Sequence, residues 1–172
     1  TNKLTTTVTR PNTALNAGRT RIDCRCFAAT PADGTFVFHY GDASFCNGGA
    51  GGSRNWNPFR KKFPLQVEGR NLLQILHNEY AECLPWLSYV KVDAEGFDCQ
   101  ILESILPILR ERQPVVRTEV FKRLSTGERQ ALFDLLASAG YELHRYAAGA
   151  NPVGPALARN KMNAERHFDV IA

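Results

Sequence analysis

Hydrophobic and polar positions alternate along two stretches near the start of the chain, and this period of two is typical of β-strands. Residues 21–29 place Ile22 and Cys24 on one face, between charged neighbours. Residues 35–40 are rich in β-branched and aromatic side chains. Because the sequence PADG at 31–34 favours a turn, the pattern predicts that these two strands pair as a hairpin.

Farther along, short apolar segments alternate with segments whose apolar residues recur at helical spacing. Helix boundaries are marked by Asn71 as an N-cap and by Ser125 with Glu128 as a capping box. Pro107 should kink or restart the middle helix, and Gly140 should end the last one. The expected strands are residues 63–69, 86–92, 114–121, 141–146 and 167–172. This order predicts an α/β fold, with a mostly parallel sheet and helices on both faces.

Two segments lack such a pattern. Residues 1–18 are rich in Thr and Asn and are predicted to be the end of a surface helix or an irregular arm. Residues 41–62 carry Gly, Asn, Ser and Arg without a period, which indicates a long loop. That loop ends in Arg60-Lys61-Lys62, flanked by Phe59 and Phe63 and close to Trp56. Basic residues among aromatics can contact nucleic acid, but one short cluster favours a solvated loop instead.

The amino-acid composition limits which classes of protein the chain can belong to. A chain of 172 residues with 44% hydrophobic residues suits one globular domain, residues 1–172, with no run of apolar residues long enough to cross a membrane. The five cysteines are an odd number without the spacing of a disulfide framework. They favour reduced thiols in a cytoplasmic protein over metal ligands, and we expect no metal site.

Candidate chemistry lies where two expected strands end. Asp93 and Glu95 follow the strand that ends at Val92, and Glu119 lies near the end of the next strand. Carboxyl ends of neighbouring parallel strands meet at one edge of a sheet, so these carboxylates should converge there. Gly96 permits a sharp turn into the following helix. The alternative is structural, because an aspartate at this position can simply cap the helix.

The residues that surround these acids resemble a known family. The stretch YVKVDAEGFDCQILESI, followed about a dozen residues later by PVVRTEV, is similar to the D-x-E-G-x-E motif of FkbM-type S-adenosylmethionine-dependent methyltransferases. In that family an apolar strand leads to an Asp-x-Glu-Gly turn, a helix and a strand that ends in Glu. The upstream segments ALNAGRTRIDCRCFAATPADGTFVF and FPLQVEGRNLLQIL also resemble the family, so the similarity spans roughly residues 12–146.

The resemblance implies a Rossmann-like methyltransferase that uses S-adenosylmethionine to methylate a hydroxyl group of a small molecule or sugar. Asp93 and Glu95 would position the acceptor or act as base, and Asp93 would also contact the cofactor. Glu119 would be a supporting charge that orients Arg117 or Lys91. The implied adenine-lining turn is Phe27, Ala28 and Ala29, for which plain core packing is an equally good interpretation.

The sequence departs from the family pattern in two ways. The final acid of the motif is Asp98, whose shorter side chain would reach a ligand less well. The first strands and their Gly-rich turn are not found before residue 21, and GGAGG at 48–52 is better interpreted as a flexible loop.

Two other hypotheses therefore stay open. The chain could be a truncated, non-catalytic module that acts by binding a partner, and its exposed sheet edges should favour self-association. Asp93 and Glu95 could also bind a divalent metal ion, given a third oxygen ligand.

Overall fold

A computed structural model describes residues 3–15, 17–40, 48–49 and 63–172. The chain forms two units, Thr1–Arg70 and Asn71–Ala172, each of which is described by itself. The expected long loop at 41–62 lies outside the described residues except for Gly48–Gly49, which form a short strand. The basic cluster at 60–62, with Phe59 and Trp56, also lies outside them.

The first unit contains a helix and a small sheet. In chain order its elements are α1 (Lys3–Ala14), β1 (Ala28–Thr30), β2 (Gly34–Tyr40), β3 (Gly48–Gly49) and β4 (Phe63–Asn71). The four-stranded sheet has the order β1-β4-β2-β3, with β2 antiparallel to both β3 and β4. The helix at 3–14 confirms the helical interpretation of the amino-terminal segment.

The predicted hairpin of the first two strands is wrong, because β4 lies between β1 and β2. Strand β4 brings Leu65 and Val67 opposite Phe38 and Phe36, and such apolar cross-strand pairs stabilise a sheet. The predicted strand at 21–29 is reduced to Ala28–Thr30. Ile22 is 48% exposed, and Cys24 and Cys26 are only half-buried, so none of the apolar residues in the alternation at 21–26 is a buried core residue.

The second unit alternates helices and strands up to β7. Its α-helices are α2 (Leu72–Glu79), α3 (Asp98–Ser104), α4 (Leu106–Arg112) and α5 (Thr126–Ser138). Its strands are β5 (Tyr89–Val92), β6 (Val115–Val120), β7 (His144–Tyr146), β8 (Val153–Ala156) and β9 (Phe168–Ile171). Two short 3₁₀ helices, Leu84–Trp86 and Arg159–Asn163, lie before β5 and β9.

Helix boundaries confirm the local signals. The Asn71 side chain accepts a hydrogen bond from the Gln74 N–H at 3.0 Å, and Ser125 with Glu128 forms the expected capping box. The helix that contains Pro107 restarts as α4, with the proline in its first turn, where its missing N–H does no harm. Gly140 adopts a φ of +91° directly after α5.

The five-stranded sheet of the second unit has the order β5-β6-β9-β7-β8. Strands β5 and β6 are parallel, β9 is antiparallel to both of its neighbours, and β8 is antiparallel to β7. The chain is therefore α/β as predicted, but the described sheets are mixed rather than mostly parallel. Strand β9 takes the central position because Phe168 and Val170 are 5% and 0% exposed and fill the core there.

One face of this sheet packs against helices. Buried side chains of β5, β6 and β9 join those of α3, α4 and α5 in a single apolar cluster, which includes Val92, Val116, Val170, Leu102, Leu109 and Leu136. On the opposite face Tyr89 and Val115 remain 49% and 43% exposed. The described helices of the second unit therefore do not cover that part of the sheet, and the expectation of helices on both faces does not hold within this unit.

Candidate active site

The turn that follows β5 has an unusual backbone. Glu95 has a φ of +51° and Gly96 a φ of +99°, so the chain reverses sharply before α3 begins at Asp98. Glycine is needed at position 96 because this φ disfavours other residues. A Cβ there would also lie 3.0 Å from the Phe121 ring.

Asp98 holds this turn together. Its Oδ2 accepts a hydrogen bond from the Gly96 N–H at 3.1 Å, and its Oδ1 accepts from the Thr118 hydroxyl at 3.1 Å and the Ala94 N–H at 3.4 Å. Burial raises the pKa of Asp98, and these hydrogen bonds oppose the rise. With 1% of its surface exposed, Asp98 fixes the turn and does not face solvent. Its short side chain therefore suits a structural task.

Asp93 and Glu95 lie on the outside of the same turn, and both are exposed. The Asp93 Oδ2 lies 2.7 Å from the Lys91 Nζ, and both side chains are about half exposed, so this pair contributes little to stability. Ligands could therefore replace Lys91 as the partner of Asp93 at small cost.

Glu119 is buried near the end of β6, with only 7% of its surface exposed. Its Oε1 lies 2.6 Å from the His167 Nε2, while its Oε2 is buried and has no hydrogen-bond partner among the described residues. Burial is the main cause that raises the pKa of Glu119. The His167 charge opposes the rise, and the negative charges of Glu95, Asp93 and Asp98 add to it.

The strand register places the three carboxylates predicted from the sequence at the same edge of the sheet, because Val92, just before Asp93, lies opposite Thr118, just before Glu119. They lie at the carboxyl ends of β5 and β6, which are parallel neighbours. We call this group, with His167, the acidic rim.

The expected role of Glu119 in orienting Arg117 or Lys91 is wrong. Lys91 pairs with Asp93 instead. The Arg117 Nε donates to the Asp169 Oδ2 at 2.9 Å, and its guanidinium stacks on the Tyr146 ring at 3.7 Å. Asp169 lies on β9, the neighbour of β6, and Tyr146 lies on β7, the next strand in the sheet. The expected parallel order did not provide these positions.

His167 is the rim residue that the sequence did not reveal. It directly precedes β9, and because β9 runs antiparallel to β6, its start lies beside the end of β6. The His167 ring meets the Phe121 ring edge-on, with centroids 6.3 Å apart. A strand at 167–172 was predicted, but only knowledge of its direction would have placed this histidine at the rim.

Arg129 fixes the backbone on both sides of the rim. The first turn of α5 carries this residue, and 5% of its surface is exposed. Its guanidinium donates to five carbonyl oxygens, those of Phe121, Leu124, Met162, Glu165 and Arg166. Glu165 and Arg166 immediately precede His167, so their hydrogen bonds with Arg129, at 2.8 and 2.6 Å, hold its position. Nothing in the sequence indicated that Arg129 would be buried, because this helix was predicted to be apolar on its inner face.

The three small or aromatic residues assigned to adenine lie in the first unit. Ala28 is 6% exposed and packs with Phe38 and Val67, so core packing is its role in the structure. Phe27 and Ala29 are half-buried, and β1 begins at Ala28 instead of ending before these residues. Their contact with a cofactor stays a prediction.

Metal and thiol chemistry add little to the site. In residues 3–15, 17–40, 48–49 and 63–172, no group of three His, Cys, Asp or Glu side chains is arranged to hold a metal ion. Cys24, Cys26, Cys83 and Cys99 are free thiols, and burial raises the pKa of Cys99 to about 11. Cys46 lies outside the described residues.

Comparisons with known proteins add no family. No protein-family model, curated protein sequence or solved structure matches the chain. Within the described ranges, none of the helices has the length and apolar character needed to cross a membrane.

Proposed function

We propose that this chain is an S-adenosylmethionine-dependent methyltransferase that acts on a hydroxyl group of a small molecule or sugar. The observation that carries the proposal is the acidic rim, where Asp93, Glu95 and Glu119 lie at the carboxyl ends of two parallel neighbouring strands. Ligands of α/β proteins bind at such strand ends. The sequence resemblance to FkbM-type enzymes concerns the same residues.

The rim has the chemistry to bind this cofactor. S-adenosylmethionine carries a positive sulfonium, an ammonium group and hydroxyl donors, and it supplies the methyl group. A negative rim attracts such a ligand, and the buried Oε2 of Glu119 is an acceptor for which the described part of the chain supplies no donor. Leaving a buried acceptor unpaired costs about 1–3 kcal/mol, so a ligand donor would stabilise it. Asp93 and Glu95 would hold donors of the cofactor or acceptor.

One observation favours a second function, that of a non-catalytic module that binds a partner. Asp93 pairs with Lys91, and one oxygen of Glu119 pairs with His167, so two of the acids have partners without a ligand. Such a module would use an exposed sheet edge, and β5 lies at the edge of the described five-stranded sheet. Self-association through that edge and a cytoplasmic location are parts of the same proposal, and the free thiols support the latter.

Calorimetric titration with S-adenosylhomocysteine tests the proposal. We expect the wild-type chain to bind, and the double variant Asp93→Asn with Glu95→Gln to bind at least about tenfold more weakly, since two acceptor charges are lost. Glu111→Gln is a matched control, because this exposed acid of α4 pairs only with its neighbour Arg112 in the described residues. Absence of binding by the wild type would contradict the proposal and favour the non-catalytic module.

A further inference from the structure

The contact between His167 and Glu119 brings an imidazole against a buried carboxylate. The Nε2 of His167 lies 2.6 Å from the Glu119 Oε1, so the two groups form an ion pair whenever the ring is protonated. The histidine side chain is 44% exposed, whereas that of Glu119 is only 9% exposed. The imidazole therefore reaches solvent while its partner stays buried behind it, and Nδ1 is the ring nitrogen that does not contact Glu119.

Charged groups of both signs surround the pair. The Glu119 carboxylate lies against the ring, and Asp93, Glu95 and Asp98 add negative charge around that carboxylate. The Lys122 Nζ lies 5.6 Å from the centroid of the adjacent Phe121 ring, and the Arg129 guanidinium donates to the Phe121 and Arg166 carbonyl oxygens. The Glu119 carboxylate is the charged group in direct contact with the ring, 2.6 Å away, so it is placed to stabilise positive charge that develops on the ring during the reaction.

The backbone before His167 is fixed in advance. Arg129 donates to the carbonyl oxygens of Glu165 and Arg166. The edge-on contact between the His167 and Phe121 rings limits the tilt of the His167 ring. A base whose position is set before the reaction avoids the cost of ordering during it.

On these grounds we propose that His167 is the catalytic base that accepts the proton of the acceptor hydroxyl, and that Glu119 is its positioning residue. The inference rests on the proposed function. The O–H bond of the acceptor breaks, and its proton bonds to the His167 Nδ1. The electron pair stays on oxygen, which bonds to the methyl carbon, and the pair of the methyl–sulfur bond leaves with sulfur. The products are an ether, S-adenosylhomocysteine and an imidazolium that Glu119 stabilises.

Acylation of histidines by diethyl pyrocarbonate, located by mass spectrometry, tests the pair on the full chain. At about pH 8, where imidazole is mostly neutral, we expect His167 to react about tenfold faster in the wild type than in Glu119→Gln. The reason is that Glu119 stabilises the charge that develops on the attacking ring. His144 is the matched control, because its contact with Glu142 is 3.5 Å and that carboxylate is exposed. Glu142→Gln should leave the rate at His144 within about twofold.

Equal rates at His167 in the wild type and Glu119→Gln would overturn the inference, as would an unreactive His167. Should Glu119→Gln fail to fold by circular dichroism, Glu119→Asp makes the same comparison, because it keeps the buried charge but withdraws it from the ring. Titration of S-adenosylhomocysteine into the wild type separates the two proposals. Binding by the wild type together with equal acylation rates contradicts only the base, whereas absence of binding by the wild type contradicts the methyltransferase itself.

Discussion

Glu119 is the residue at which stability and chemistry conflict most. A carboxylate buried to this extent normally has hydrogen bonds to both oxygens, yet its Oε2 has no partner among the described residues. Its neighbours also destabilise the negative charge, because Asp93, Glu95 and Asp98 repel it. Only the His167 charge, among these neighbours, acts in the opposite direction. Such tension is typical of groups whose partner is a ligand or a transferred proton.

The conflict predicts a pH dependence of stability. The pKa of Glu119 is raised in the folded state, so between its ordinary value of 4.5 and the raised value the folded chain holds a proton that the unfolded chain has released. The free energy of unfolding of the wild type therefore falls, relative to that of Glu119→Gln, as pH rises through this window. The slope cannot exceed about 1.4 kcal/mol per pH unit, the limit for one proton.

Urea unfolding of both proteins at a series of pH values measures this difference. Glu111→Gln, which alters an exposed acid, should follow the wild-type curve. Parallel curves for the wild type and Glu119→Gln would show that Glu119 titrates alike in the folded and unfolded states.

At the scale of elements, the turn between β5 and α3 decides where the acids point. Asp98, Gly96 and Thr118 form one assembly, in which a buried carboxylate holds the turn against β6. Gly96 contributes its unusual φ and its lack of a side chain, and these two contributions can be measured separately because Gly140 provides only the first.

Alanine substitution at the two glycines makes that comparison. Gly140 has a φ of +91°, and a Cβ there would meet atoms only at 3.8 Å or beyond, so Gly140→Ala should cost about 1–2 kcal/mol for the backbone alone. Gly96→Ala has the same backbone cost and also crowds Phe121 at 3.0 Å. We expect it to cost about 1 kcal/mol more in urea unfolding and to weaken binding of S-adenosylhomocysteine. Equal costs would mean that Phe121 moves freely.

The elements also show which features a sequence can predict. Capping by Asn71 and Ser125 and the restart at Pro107 were confirmed, because each depends on residues within one helical turn. The position of β4 between β1 and β2 depends on pairings over long sequence distances, which periodicity does not encode. The site divides in the same way, since the carboxylates follow from strand ends, whereas His167 required the direction of β9.

At the scale of the whole molecule, the two units have separate cores. The larger apolar cluster draws all its members from residues 72–172, and the smaller one, centred on Ala28, Phe38 and Val67, draws its members from the first unit. The acidic rim, its turn and the Arg129 contacts all belong to residues 71–172. The local geometry of the rim should therefore depend on the second unit alone.

A fragment that comprises residues 71–172 should fold cooperatively by itself, because it keeps the complete larger cluster and begins with the Asn71 cap of α2. Leu102 is fully buried in that cluster, so Leu102→Ala should lower the free energy of unfolding by about 2–5 kcal/mol. The decrease should be the same in the fragment and in the full chain. Far-ultraviolet circular dichroism during urea unfolding measures both. Phe38→Ala in the full chain is the control, since it alters only the smaller core and should leave the transition of the second unit in place. A fragment without a cooperative transition would show that residues 1–70 complete its fold, and the rim would then have to be studied in the full chain.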